Sequence, residues 1–227
     1  MQETQQNPNV PPQTPAPKPP PGHSFSSSEA IKFGFNFFKK NIATFIKLGA
    51  ALIVINIVMG IIGGLFGHNN LIALIWSIVS AILSLIIQVG IIKIVLDLHD
   101  GKPLNLANLY SMFHLAPRFI GASVLYGLMI LVGLVLLIIP GIYLAIKLQF
   151  YSFLIVDKNA GVVDSLKKSW AITKGVELNL FLFTLVIVIL NILGAIALLV
   201  GLLVTIPTTT MASVYVYRKL LSQTPGV

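Results

Sequence analysis

The 227-residue chain is 56% hydrophobic and only 10% charged, with a mean hydropathy of +0.91. A soluble domain carries roughly 25% charged residues and could not hide this much apolar surface, so a soluble globular fold is excluded. Cysteine is absent, which excludes a disulfide framework and any thiolate metal or redox centre. The net charge of +8 comes from Lys and Arg set beside apolar runs rather than gathered in one basic domain, a distribution suited to anionic lipid headgroups and not to nucleic acid.

Residues 1–23, MQETQQNPNVPPQTPAPKPPPGH, are rich in Pro, Gln, Asn and Thr and hold too little apolar surface to offset the entropy of ordering them. A disordered, partly polyproline tail is expected. The Met1 end lacks a basic region leading into a short apolar core, so the first span is expected to serve as the targeting signal.

About 20 helical residues cross a hydrocarbon core, and the apolar runs predict six spans, near 43–66, 71–95, 119–139, 141–157, 178–198 and 201–218. The last two come from one uncharged run, Leu178 to Tyr217. A single helix of that length would be about twice as long as a membrane is thick, so a tight hairpin near Gly194 to Gly201 is expected. A Pro-Gly turn at Pro140–Gly141 is expected to separate the third and fourth spans. With this layout every Lys and Arg except Lys147 falls on the side of the two termini, counting Lys47 and Lys93 with the nearer interface. The positive-inside rule then places both termini in the cytoplasm of a multi-pass protein of the cell's inner membrane.

Two segments outside the spans match at a constant offset: SEAIKFGFNFFKKN at 28–41 and VDSLKKSWAITKGV at 163–176. Glu29 meets Asp164, Lys32 meets Lys167, Phe35 meets Trp170, Lys39 meets Lys174, and further on Asn56 meets Asn191. On a helical wheel Glu29, Lys32, Asn36, Lys39 and Lys40 share one arc opposite Ile31, Phe35, Phe38 and Ile42; Asp164, Lys167, Lys168 and Lys174 repeat the polar arc opposite Leu166 and Trp170. Helices lying in the headgroup layer, lysines toward phosphates, are expected. A third such segment, 105–117, has Leu106, Leu109, Tyr110 and Phe113 at helical spacing. The expected fold is therefore all-α: six spans plus amphipathic cytoplasmic helices in three parallel repeats, about 26–97, 104–157 and 162–219, with a short tail at 221–227.

Polar residues within the spans are few. Asn56, Gln88 and Asn191 are expected to hydrogen-bond across helices, and Thr208 to Thr210 to satisfy carbonyls freed by Pro207. Lys147, with Gln149 beside it, is harder to place. Measured along a straight helix from Asp157 it lies about 15 Å deep, and no acid is assigned to a span to neutralise it. It is expected either to bind an anion or lipid headgroup within the bundle or to sit near an interface in a shortened span. No catalytic residue is nominated: there is no P-loop, nucleophile elbow or zinc motif, and Asp97, His99 and Asp100 read as a polar span end. The four histidines are widely scattered, and no metal or cofactor is expected.

PGIYLAIKLQF and the following IVDKNAGVVDSLKKSWAITKG resemble a prokaryotic membrane-protein superfamily. It includes the membrane domain attached to glycerophosphodiester phosphodiesterases and the uncharacterised YciC-like proteins. The matching positions are Pro140, Gly141, Tyr143, Lys147, Asp157 and Ser165 through Gly175, with Ser169, Trp170 and Gly175 among them; Ser165 stands where Ala is usual. The resemblance implies a helical membrane domain and supplies no catalytic activity, because in the enzyme-linked members the chemistry resides in a separate soluble barrel.

Two functional readings follow. One is a non-catalytic membrane module that binds anionic lipids, and other membrane proteins, through Lys147, Gln149 and the lysines Lys32, Lys39, Lys40, Lys167, Lys168 and Lys174. The other is a small transporter or permease with a substrate or ion site around Lys147. The six-span layout predicts that a reporter fused to the C-terminus reads as cytoplasmic in whole cells. An externally active C-terminal fusion would reduce the spans to an odd number.

Overall fold

In hydrocarbon every backbone N–H and C=O must be satisfied within its own segment, so apolar runs of this length fold as helices. The computed structural model describes residues 24–66, 70–197 and 201–227; the Pro-rich segment 1–23 lies outside them. The described residues form α1 (Ser27–Lys40), α2 (Ile42–Phe66), α3 (Asn70–His99), α4 (Asn108–Ser111), a 3-10 turn at Phe113–Leu115, α5 (Ala116–Leu136), α6 (Ile138–Leu148), α7 (Tyr151–Lys158), α8 (Val162–Ile172), α9 (Glu177–Ile196) and α10 (Leu202–Ser222), with no strand among them. Five stretches among the described residues are long and apolar enough to cross a membrane: Ile42–Leu65, Leu71–His99, Asn108–Leu136, Ile138–Lys158 and Glu177–Ile196. The expected sixth span corresponds to α10. That helix has 21 residues but is not one of the five, because Thr208 to Thr210, Ser213, Arg218 and Lys219 dilute its apolar content.

The helices pair as three hairpins: α2 with α3, α5 with α6 and its continuation α7, and α9 with α10. A short element precedes each hairpin and packs on the returning arm of a different one: α1 on α10, α4 on α3, α8 on α6 and α7. Close backbone approach makes two of these contacts. A Cβ on Gly34 of α1 would clash with the Thr208 carbonyl oxygen of α10, and one on Gly90 of α3 with the Leu109 backbone of α4. The expected apolar arc of α1 is thus only partly the buried one. The face turned to α10 is Ala30, Gly34 and Phe38, spaced four apart, while Phe35 is exposed. Glu29 adds an ion pair to Lys219 and accepts a hydrogen bond from the Tyr215 hydroxyl. Tyr215 and Lys219 together hold its carboxyl below the usual carboxylate range.

Fully buried Leu96 of α3, Leu154 and Ile155 of α7, and Val214 and Tyr217 of α10 put the core at the charged end of the bundle. There Arg218 of α10 bonds Asp157 of α7 at 2.8 Å and Asp100, just past α3, at 2.6 Å. The Tyr217 hydroxyl also donates to Asp157. Asp97 accepts from Lys93, Lys102 and Asn108. Toward the opposite end the side chains are exposed and apolar, among them Ile61, Leu65, Val135 and Ile196.

Two local expectations are corrected and a third is met. The α5–α6 turn falls at Leu137, whose backbone is extended, not at Pro140–Gly141. Pro140 lies in the first turn of α6, where a missing N–H leaves no helical bond unmade, and Gly141 lets α6 approach Gly133 and Leu134 of α5. The segment 105–117 is not one amphipathic helix but a single α-turn and a 3-10 turn, with Leu109 buried and Tyr110 and Phe113 exposed. The hairpin expected near Gly194–Gly201 is present, with those two glycine backbones in direct contact.

The α1–α10 approach predicts that Gly34→Ala, by adding one methyl group to a closed backbone contact, destabilises the fold by about 1–3 kcal/mol. Thermal unfolding in detergent should show a lower Tm than the parent and than Gly49→Ala, whose Cβ would meet nothing within 4 Å; equal Tm values would contradict the contact.

Candidate functional site

The helix carrying Lys147 is broken just after it. α6 stops at Leu148 and α7 starts at Tyr151, and this interruption must satisfy its own polar groups. Ser169 of α8 does so from the side: its hydroxyl donates to the Lys147 carbonyl at 3.0 Å and accepts the Phe150 N–H at 3.1 Å. One turn further on, the Thr173 hydroxyl donates to the same carbonyl at 3.0 Å. Ser169 and Thr173 are completely buried. Spaced four apart, they lie on one face of the chain leaving α8.

The Lys147 side chain is 2% exposed and is neutralised. Its Nζ lies 2.6 Å from Oε1 of Glu177, the first residue of α9. It also lies over two rings, 4.9 Å from the Trp170 centroid and 5.8 Å from that of Tyr143, which themselves meet edge to face. The expectation that Lys147 has no acid within reach is therefore corrected. Glu177 stands twenty residues beyond Asp157, but Gly175, at φ +84°, turns the chain between α8 and α9 and returns it to α6. An L side chain rarely adopts that conformation. The depth measured along a straight helix from Asp157 does not apply either, because the helix does not run unbroken through residues 149 and 150.

The matched positions thus fall into two groups. Tyr143, Lys147, Ser169, Trp170, Thr173 and Gly175 meet around the break, joined by Glu177, which was not among the matched positions. Asp157 lies apart, on Tyr217 and Arg218, Gly141 serves the α5–α6 contact, and Pro140 lies in the first turn of α6. The signal that could have found Glu177 is its position at the first turn of a helix, where a carboxylate is favoured, together with the need of Lys147 for a counter-charge.

The other nominated residues are distributed. Gln149 donates to the Ile146 carbonyl and receives the Thr184 hydroxyl. Lys32, Lys39 and Lys40 are exposed on α1, and Lys167 and Lys174 are exposed on and just past α8. Lys168 pairs with Asp164 at 3.1 Å. Asn191 reaches Thr209 of the facing helix as expected. Asn56 does not cross to a neighbour: its Nδ2 donates to Leu52 of its own helix. Gln88 makes no side-chain hydrogen bond among the described residues.

Two apolar grooves flank the Lys147 cluster. One, of about 330 Å³, runs between α5 and α8 along Leu125, Met129 and Leu166, with Trp170 in its wall and Lys167 at its rim. The other, of about 340 Å³, lies between α6 and α9, bordered by Tyr143, Phe181 and Glu177. Lys147 lines neither.

No family model matches this chain, and no solved structure does. The chain is 26% identical to an uncharacterised protein of Mycobacterium bovis over 89% of its own length and 73% of the relative's. It matches uncharacterised proteins of two strains of Mycobacterium tuberculosis to the same extent.

Removing the partner of a buried charge leaves it uncompensated, at a cost of up to about 3–5 kcal/mol, and Lys147 is the buried member of its pair with partly exposed Glu177. Glu177→Ala is therefore expected to lower Tm more than the double change Lys147→Leu with Glu177→Leu, measured by thermal unfolding in one detergent. A double variant no more stable than Glu177→Ala would contradict the pairing.

Proposed function

We propose that this chain is a non-catalytic membrane module of the inner membrane that holds anionic phospholipid at its cytoplasmic face. α10 completes six spans and both termini lie in the cytoplasm. The observation that carries the reading is the groove between α5 and α8. Its floor is apolar, Lys167 stands exposed at its rim and Trp170 forms one wall. An acyl chain would lie along Leu125, Met129 and Leu166, and the Lys167 ammonium would meet the phosphate, a pairing worth about 1 kcal/mol per basic residue near a charged membrane surface. Lys32, Lys39, Lys40 and Lys174 add exposed positive charge on α1 and beyond α8, on the face where both short helices would meet headgroups.

Membership of the superfamily that includes the phosphodiesterase-linked membrane domain and the YciC-like proteins is part of this proposal. It is supported by the convergence of Tyr143, Lys147, Ser169, Trp170 and Gly175 on one structural feature. Threefold repetition is supported by the cyclic order of packing, in which each short element seats on the returning arm of another hairpin. A transport site at Lys147 is less well supported, because the side chain is sealed by Glu177, Trp170 and Tyr143.

Lys167→Glu reverses the one charge at the groove rim and is expected to reduce co-purified phosphatidylglycerol several-fold, read by native mass spectrometry from gentle detergent, with Tm unchanged. Retention equal to that of the parent would remove the basis for the site.

A further inference from the structure

Between α2 and α3 lies a second kind of groove, polar but without charge. Ser80, Ser84 and Gln88, four residues apart, share one face of α3, and Asn56 of α2 faces them across a cleft of about 310 Å³. Gln88 is nine residues from Asp97, and Asn56 nine from Lys47. Both carboxamides therefore lie about 13 Å along their helices from the charged end, and Ser80 about 25 Å. Their hydrogen-bonding capacity is largely unused. Asn56 bonds only its own helix, Ser80 donates to the Ser77 carbonyl, and neither Ser84 nor Gln88 has a side-chain partner among the described residues. Polar groups left open to hydrocarbon are costly.

The cleft continues into an apolar groove of about 310 Å³ between this hairpin and α10; Leu52 and Ile91 form walls of both. The apolar part reaches Phe45 and Val95 near the charged end, and the polar part reaches Met59 and Ser80 toward the other. No Lys, Arg, Asp or Glu lines either part.

We propose that this continuous surface is a binding site for an uncharged amphiphile: a lipid whose acyl chain fills the groove against α10 and whose hydroxyl- or amide-bearing head is held by Asn56, Ser84 and Gln88. A phosphate here would enter hydrocarbon with no counter-cation, so the site rejects the anionic lipids proposed for the α5–α8 groove. The polar part lies farther from the charged end, so the head would sit near the middle of the bilayer with its acyl chain directed back toward the charged end.

The test uses the full chain in nanodiscs with two photoactivatable probes that share a diazirine-bearing acyl chain, one a diacylglycerol and one a phosphatidylglycerol. Peptide mass spectrometry after irradiation should find the diacylglycerol probe on α2, α3 and α10, competed by unlabelled diacylglycerol and not by phosphatidylglycerol. Asn56→Leu with Gln88→Leu should reduce that labelling about fivefold, the scale of one or two net hydrogen bonds. Should that double change impair folding, Ser84→Ala, which removes one hydroxyl with little change in volume, should still reduce it about twofold. Lys167→Glu should leave it unchanged while reducing phosphatidylglycerol retention, which separates this site from the proposed anionic one. Equal labelling of these helices by both probes, undiminished labelling in folded variants, or cross-links showing a second copy's helix in the cleft would overturn the proposal.

Discussion

An ammonium inside an apolar bundle has to be neutralised within the reach of its own side chain, and around Lys147 that requirement organises three helices. Glu177 supplies the charge from the start of α9, Trp170 and Tyr143 supply ring faces, and Ser169 and Thr173 close the helix break through the Lys147 carbonyl. Each contribution depends on the others. The break brings α8 alongside α6, the left-handed turn at Gly175 returns the chain toward α6, and only then does Glu177 come within 2.6 Å of Nζ. Tyr143, Lys147, Ser169, Trp170, Thr173 and Gly175 are thereby explained as parts of one joint.

The same logic places the core. Lipid tails are as apolar as leucine, so burial alone gives helices little reason to associate in hydrocarbon, and close packing and hydrogen bonding have to supply it. Ion pairs gather at the charged end, where Arg218 links α10 to Asp100 and Asp157, while glycines allow α1 to seat on α10, α4 on α3, α6 on α5 and α10 on α9. Away from that end the surfaces are apolar and exposed. Grooves between and within the hairpins follow from that arrangement, one apolar with a lysine at its rim and another polar but uncharged. On the readings proposed above, their different linings would favour different lipid chemistries.

Composition and run length alone determined that the chain is helical and membrane-embedded, because hydrocarbon tolerates few backbone arrangements and those few have characteristic lengths. The hairpin near Gly194–Gly201 was legible too, since a 40-residue uncharged run is too long for one crossing. Lys147 was recognisable as exceptional from its neighbours. What the amino-acid order could not supply was its partner, thirty positions away: which acid meets a buried lysine depends on where a helix breaks and how a loop returns. Likewise Asn56 and Gln88 read as cross-helix bonds by type, and only the spacing of α2 and α3 decided that they face an open cleft instead. Local physics acts along the chain and can be read there; the pairing of charges and the width of a groove are set by the distances between helices, which exist only once the bundle has packed.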